Sequence, residues 1–194
     1  MLELLIKIFK SVVVSLYQEL GAALMTTILA LFVFLYMKEH GLKKGIIIFA
    51  ENVRFNRRFR YLGWLFLYTA LILFRTLFCR AVYVYPLSNV IGNWKLYDIN
   101  GQLYTENIEN LLLFIPFGYL CLLNTRKDAP VHYVRKALKY TALFSCGIEV
   151  FQILLRVGTF QISDLFFNIL GGALGGVIYW IARGVGIISK DSDI

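Results

Sequence analysis

Residues 165–183 read LFFNILGGALGGVIYWIAR, a run in which the only charged side chain is the last. An α-helix needs roughly 20 apolar residues to cross a hydrocarbon layer about 30 Å thick, so this run predicts a transmembrane helix. The run also carries two overlapping small-xxx-small patterns, which allow another helix to approach closely; they are formed by Gly171, Gly172, Gly175 and Gly176. The stretch therefore predicts a bundle of helices packed within a membrane.

Further apolar runs of similar length make this a multi-pass protein. They lie at residues 20–37, 61–79, 107–124 and 140–157. Residues 1–19 place apolar side chains at helical spacing with Lys7 and Lys10 between them, which is typical of a helix in the membrane interface. We predict an all-α integral membrane fold of about five transmembrane helices, preceded by an N-terminal interfacial amphipathic helix.

The composition is typical of a membrane protein, and the chain divides into four predicted segments. The chain is 59% hydrophobic and 16% charged, whereas soluble domains carry about 25% charged residues. The segments are the interfacial helix (1–19), a first transmembrane helix with a basic loop (20–60), a four-helix membrane domain (61–183) and a short tail (184–194). The run from Ile46 to Ala50 is too short to cross the membrane alone.

The distribution of positive charge predicts the topology. Most of the 20 basic residues lie in the connections 38–60 and 126–139, which the positive-inside rule assigns to the cytoplasm. The N-terminus is then outside and the C-terminus is cytoplasmic. Because topology explains the net charge of +8, we expect membrane lipids and no nucleic acid as partners.

The long outer connection, residues 80–106, is rich in aromatic rings suited to the membrane interface. They are Tyr83, Tyr85, Trp94, Tyr97 and Tyr104. The segment is either an aromatic belt with a solvated loop or a lid over the bundle.

Polar residues inside the spans are costly in lipid, so each is a candidate for function. Glu149, Gln152 and Arg156 are spaced three and four apart and share one helical face. Glu149 and Arg156 lie roughly 10 Å apart along the axis and cannot pair fully. We therefore expect Glu149 to find its partner on another helix, and Arg75 is the available cation.

Asp164 and Asn168 likewise share a face of the last span, and Asn110 begins the third. With the predicted topology these residues converge near the outer leaflet. The candidate polar cluster is Arg75, Asn110, Glu149, Gln152, Arg156, Asp164 and Asn168. Two readings remain open: buried pairs that hold the bundle in register, or a site whose arginines grip a phosphate or carboxylate.

Other residues point to packing more than to chemistry. Pro116 should bend the third span, as a hinge or as the lining of a cavity, and Gly118 follows it. Cys79, Cys121 and Cys146 show no metal-type spacing, so we predict no metal site and no cofactor. The sequence assigns no catalytic residue.

Three blocks together resemble the VanZ family of bacterial membrane proteins. They are Glu109-Asn110-Leu-Leu-Leu-Phe-Ile-Pro-Phe-Gly118, Ile148-Glu149-Val-Phe-Gln152-Ile-Leu-Leu-Arg156 and Asp164-Leu-Phe-Phe-Asn168-Ile-Leu-Gly171-Gly172. Arg75-Thr76-Leu77 and Tyr85-Pro86-Leu87-Ser88 resemble the upstream pattern more weakly. The similarity covers roughly residues 61–182.

The resemblance implies a bacterial cell-membrane protein related to one that confers low-level resistance to teicoplanin, a lipid-anchored glycopeptide. Its partner would be a lipidated glycopeptide or a lipid-linked wall precursor. One alternative is an enzyme on phospholipid or polyprenyl phosphate, with Arg75 and Arg156 holding phosphate and a carboxylate acting as acid or base. Two observations count against an enzyme. The two histidines, His40 and His132, which would be the usual nucleophile or proton carrier, both fall in predicted cytoplasmic loops. Ser163 is expected to cap a helix rather than act as a nucleophile. A small transporter or assembly partner is the second alternative.

Overall fold

Three helices at the C-terminal side form the centre of the computed structural model, which describes residues 2–38, 41–78, 85–95, 97, 105–123, 125 and 129–185. They are α4 (Glu106–Leu122), α5 (Pro130–Leu155) and α6 (Ile162–Gly184). Helix α6 packs along both of the others, and its contact with α4 is the most extensive in the molecule. Successive helices run in opposite directions, so the starts of α4 and α6 lie at the same end as the last turn of α5.

Helix α3 (Arg57–Leu73) completes the bundle and continues into a π-helical turn (Phe74–Phe78). Its N-cap is Asn56, whose side chain accepts a hydrogen bond from the Phe59 N–H at 3.1 Å. A core of buried apolar side chains joins the turn to α4 and α5; it contains Ile72, Leu77, Leu113, Phe114, Phe117 and Ile148. The π turn therefore sits against the central helices.

Helix α1 (Leu2–Lys38) corrects the predicted N-terminal boundary. The sequence places an interfacial helix at 1–19 and a separate span at 20–37, but the structure has one continuous helix of 37 residues. No proline interrupts the segment, and a single glycine such as Gly21 costs a helix only about 1 kcal/mol. Ala23 of α1 packs against Ala70 and Leu71 of α3.

Helix α2 (Leu42–Phe55) occupies most of the predicted basic loop. The run from Ile46 to Ala50, too short to span alone, is its central part. Phe49 meets Phe59 edge-on with ring centroids 5.7 Å apart, so α2 is anchored where α1 ends and α3 begins. The predicted loop 38–60 is therefore largely helical.

The structure confirms an all-helical fold, since the described residues form six α-helices and a π turn without a β-strand. Each predicted span falls on a helix. Two helices, Pro130–Leu155 and Ile162–Gly184, are long and apolar enough to cross a membrane, and a shorter apolar segment covers Ala22–Tyr36. Some residues used in the topology argument lie outside the described residues: Arg80, Tyr83, Tyr104, Arg126, Lys127 and the tail after 185.

Candidate functional site

Buried polar side chains collect at the end of the bundle where α4 and α6 begin. Five of the seven predicted cluster residues are buried there: Asn110, Glu149, Gln152, Asp164 and Asn168. Arg75 reaches the same end from the π turn with 23% of its side chain exposed. We call these six residues, together with Glu109, the polar end cluster.

Arg75 forms an ion pair with Glu109, and this corrects the partner expected from the sequence. Its Nη2 donates to Glu109 Oε2 at 2.7 Å, whereas the sequence matched Arg75 with Glu149. The second Glu109 oxygen accepts from the Thr105 hydroxyl at 2.7 Å. Because Glu109 lies in the first turn of α4, the partial positive charge of the helix N-terminus also favours its carboxylate. Sequence reasoning quoted Glu109 in a motif but left it out of the cluster, although its position beside Asn110 is a usable signal.

Glu149 instead faces the start of α6. Its Oε2 accepts a hydrogen bond from the backbone N–H of Gln161 at 3.2 Å, and Gln161 is the N-cap of that helix. The first backbone N–H groups of a helix lack partners within it, and the helix dipole attracts negative charge there. Glu149 therefore links the end of α5 to the beginning of α6. The helix starts at Ile162, so the prediction that Ser163 is its N-cap is wrong.

The π turn offers a backbone carbonyl to α5. Gln152 Nε2 donates to the Thr76 carbonyl at 3.0 Å, while the Thr76 hydroxyl donates to the Ile72 carbonyl at 2.8 Å. A π turn departs from the regular i to i−4 pattern, and such turns occur often at functional sites. The hydrogen bond to Thr76 holds the Gln152 side-chain amide at the interface between α5 and the π turn.

Asn168 and Ser145 extend the polar interior below the end of the bundle. The Asn168 amide donates to the Ser145 hydroxyl at 2.8 Å. Asn168 lies six residues after the start of α6, which is about 9 Å deeper along the helix. Asp164 lies in the first turn of α6, between the start of the helix and Asn168, and is buried with 4% exposure.

Three buried amide oxygens in this region accept no hydrogen bond within the described residues: Asn107 Oδ1, Gln152 Oε1 and Asn168 Oδ1. Native structures satisfy most buried polar atoms, with protein or with ordered water. These three acceptors, from the end of the bundle down to Asn168, lack donors within the described residues. The Arg75 guanidinium adds a cation that can bind an anion.

A loop covers this end of the bundle. In the 85–95 loop, the carbonyl oxygens of Pro86 and Val90 accept from the backbone N–H groups of Phe160 and Ile162 at 2.9 and 2.8 Å. Gly92 lies so close to Ser163 that an added side chain would overlap it. The backbone of residues 85–95 is therefore docked on this end of the bundle, while the side chains of Tyr85 and Trp94 remain exposed.

The side chains of the 85–95 loop strengthen this attachment. The Trp94 ring lies 5.3 Å from the ring of Phe166 and 5.9 Å from that of Phe167. The Asn93 carbonyl accepts from the Asn107 amide at 2.6 Å. The loop is therefore bonded to both helices whose N-termini form the polar end.

Arg156 is not brought into the cluster. The sequence placed it on the same helical face as Glu149 and Gln152, but α5 ends at Leu155. Arg156 is the C-cap in the left-handed conformation, with φ 55° and ψ 42°, and its side chain is exposed. The change in backbone conformation removes it from the helical face, so the expected pair of arginines reduces to Arg75.

The predicted packing residues lie where α6 meets its neighbours. Gly171 and Gly175 face the backbone of α4, where Gly175 also meets Gly118. Gly172 and Gly176 face α5, where Gly176 approaches Ala137. Glycines on two sides of one helix thus allow close approach to two partners.

Pro116 lies within α4. A proline inside a helix removes one backbone hydrogen bond, and neighbouring groups usually compensate. The Tyr68 hydroxyl of α3 donates to the Leu113 carbonyl in the turn before this proline at 2.8 Å.

The described residues contain no group of three or more His, Cys, Asp or Glu side chains arranged to hold a metal ion. His132 is exposed near the start of α5. Cys121 is half-buried and Cys146 is exposed; Cys79 and His40 lie outside the described residues.

Comparison with known proteins identifies the family. Residues 64–183 match the family model VanZ/LLP1, which covers more than half of the chain. The chain belongs to the VanZ/LLP1 family. Protein VanZ of Enterococcus faecium is 29% identical over 80 residues, which are 41% of this chain and 47% of that protein. The match thus spans about half the length of this curated relative, and no solved structure matches the chain.

The family assignment confirms the resemblance predicted from the three sequence blocks. The matched region runs from within α3 to the last turn of α6. It includes every residue of the polar end cluster and the glycine contacts of α6. Helices α1 and α2 lie before it.

Proposed function

We propose that this VanZ/LLP1 protein binds the polar head of an amphiphile at the outer leaflet of a bacterial cell membrane, and thereby lowers susceptibility to teicoplanin-type glycopeptides. The amphiphile is a lipidated glycopeptide or a lipid-linked wall precursor. One observation carries the proposal: buried hydrogen-bond acceptors and the Arg75–Glu109 pair lie together at one end of an apolar bundle.

The chemistry of the polar end suits such a head group. Arg75 supplies a guanidinium that is still partly exposed, so it can meet a phosphate or carboxylate without first being uncovered. The amide oxygens of Asn107 and Gln152 are buried and accept no hydrogen bond within the described residues, so they would accept from sugar or peptide donors once the structure around them opens to the head group. The tail of an amphiphile would remain against the exposed apolar sides of the helices.

The membrane arrangement is also part of the proposal. We propose five crossings, with the N-terminus outside and the C-terminus cytoplasmic. Lys43, Lys44 and Arg54 of α2, with the arginines at the start of α3, lie at the end opposite the polar cluster, which supports this arrangement. Basic residues mark the cytoplasmic side, which assigns the polar end cluster to the outside.

Drug susceptibility tests the function. A susceptible Gram-positive host that expresses the chain should require more teicoplanin for inhibition and an unchanged amount of vancomycin. Glu149→Ala and Asp164→Ala should abolish the effect, because each removes a carboxylate from the buried end. Leu143→Ala is the matched control, since that side chain is 64% exposed on α5, and it should retain the effect at equal protein level. Unchanged susceptibility to teicoplanin with correctly inserted protein would refute the proposal.

Labelling of single cysteines tests the sidedness separately. With the native cysteines replaced by alanine, Ser88→Cys in the 85–95 loop should react with a membrane-impermeant maleimide in intact cells. Lys139→Cys near the start of α5 should react only after the membrane is opened. The reverse pattern would overturn the outer-leaflet assignment and leave the family membership intact.

The structure does not favour the enzyme alternative at Ser163. Its side chain is fully buried beneath the 85–95 loop, and its hydroxyl lies 3.4 Å from Gln161 Oε1. A nucleophilic serine needs a neighbouring base and access to substrate. Release of phosphate from a labelled polyprenyl diphosphate by the purified protein would restore this alternative.

A further inference from the structure

A cavity lies far from the polar end, where α1 ends and α3 begins. Its volume is about 230 Å³. Its walls are partly apolar, from Phe34, Ile48, Phe59 and Leu62, and two cations line it, Lys38 and Arg58. All of these residues precede the region that matches the family, which starts at residue 64, and they come from α1, α2 and the first turns of α3.

The two cations are available to a ligand. Lys38 is the last residue of α1 and Arg58 is the second residue of α3, and both side chains are exposed. Within the part of the chain that the structure describes, neither makes an ion pair with a carboxylate. The polar groups of Asn52 and Asn56 are bonded to each other and to nearby backbone. Attraction for an anion therefore comes from Lys38 and Arg58.

The outer surface of α2 fits the plane of a membrane interface. Ile46, Ala50 and Val53 are exposed and spaced four and three apart, so they form one apolar stripe. Lys43 and Arg54 lie on the adjacent face, and Phe55 is exposed at the end of the helix. A short helix with an apolar stripe beside basic residues is typical of the lipid interface. This helix forms one wall of the cavity.

We propose that this cavity binds the head group of an anionic phospholipid, with the phosphate between Lys38 and Arg58 and the first part of the acyl chains against the apolar wall. The volume is smaller than the roughly 300–1,000 Å³ of pockets for drug-sized ligands, so it accommodates a head group and not a whole lipid. Charge complementarity identifies the lipid class, because basic clusters next to a membrane helix select anionic lipids. The proposal does not depend on the glycopeptide function.

Native mass spectrometry of the purified full chain in detergent measures this binding. The probes are short-chain phosphatidylglycerol, phosphatidylcholine of the same chain length, and glycerol phosphate without a chain. We expect one phosphatidylglycerol to bind at least about tenfold more tightly than phosphatidylcholine, because two charges contribute. Equal affinity for the two lipids would overturn the proposal, and so would glycerol phosphate binding as tightly as phosphatidylglycerol.

Matched variants locate the site. Lys38→Gln with Arg58→Gln should weaken phosphatidylglycerol binding by about 30-fold, from about fivefold per charge. Lys43→Gln with Arg57→Gln removes the same charge from exposed positions that do not line the cavity, and should weaken binding less than about threefold. Equal losses in the two pairs would mean diffuse attraction and would refute a defined site.

A variant that exchanges the two cations and conserves the charge distinguishes a loss of lipid binding from misfolding. Lys38→Arg with Arg58→Lys keeps both cations at the cavity and should bind phosphatidylglycerol within about threefold of the wild type. A monodisperse exchange variant that loses binding would contradict the assigned roles of the two cations.

Discussion

Replacing Gly175 by alanine should loosen the contact between α6 and α4. An added Cβ would lie 2.8 Å from the Tyr119 backbone nitrogen and closer still to the Ile115 carbonyl oxygen. Both atoms belong to the backbone of α4, so the helices must separate by about 1 Å to restore van der Waals contact. Overpacking costs about 1–3 kcal/mol, and a rigid backbone places this case at the upper end. Alanine returns about 1 kcal/mol of helix propensity, which leaves a net loss of about 2 kcal/mol.

Thermal denaturation of purified protein in detergent, followed by size-exclusion chromatography, measures this loss. For a chain of this size, 2 kcal/mol corresponds to a Tm lower by about 4–8 °C. Gly147→Ala in α5 is the matched control, because no neighbouring atom lies within 4 Å of its added Cβ. That variant should gain helix propensity and raise the Tm by about 2–4 °C. A wild-type Tm for Gly175→Ala, or an equal fall in Tm for Gly147→Ala, would show that the close approach of α6 to α4 does not determine the stability of the protein.

Three further perturbations act on contacts described above. Glu109→Gln should destabilise the protein by about 3 kcal/mol in the same thermal assay, because Arg75 keeps its charge in a largely buried place; stability equal to the wild type would mean that the pair is solvated. Tyr68→Phe should cost about 1 kcal/mol through the hydrogen bond to α4, whereas the exposed Tyr140→Phe should cost nothing measurable. Trp94→Ala should speed amide hydrogen exchange in the 85–95 loop while exchange within α5 and α6 stays unchanged, and equal rates in the loop would show that the ring does not hold it.

The sequence predicted the helices well because apolar runs and family blocks both depend on residues near one another in the chain. The run at 165–183 lies within α6, and the polar spacing of Asp164 and Asn168 is preserved because both residues are in a regular helix. Five of the cluster residues are buried, and their role as a site stays a prediction. The membrane crossings and their orientation stay predictions.

The sequence could not identify the partners across helices. The sequence pairs Arg75 with Glu149 because Arg75 is the available cation inside a span, but spacing along one helix does not define which residue of another helix faces it. The π turn also changes the direction of the side chains around Arg75. Glu109 was the nearer carboxylate. The prediction that Arg156 shares a face with Glu149 and Gln152 is wrong for a local reason, because a left-handed C-cap moves a side chain off the face that helical spacing predicts.

The π turn at Phe74–Phe78 also has a consequence for how the chain tolerates insertions and deletions. A π turn can be regarded as an α-helix into which one residue has been inserted. Deletion of one residue there would give a regular α-turn and leave the earlier part of α3 facing its neighbours as before. The same deletion in the middle of α3 would rotate every later side chain by about 100°. A change of one residue at this turn should therefore alter the surroundings of Arg75 and leave the earlier part of α3 in place.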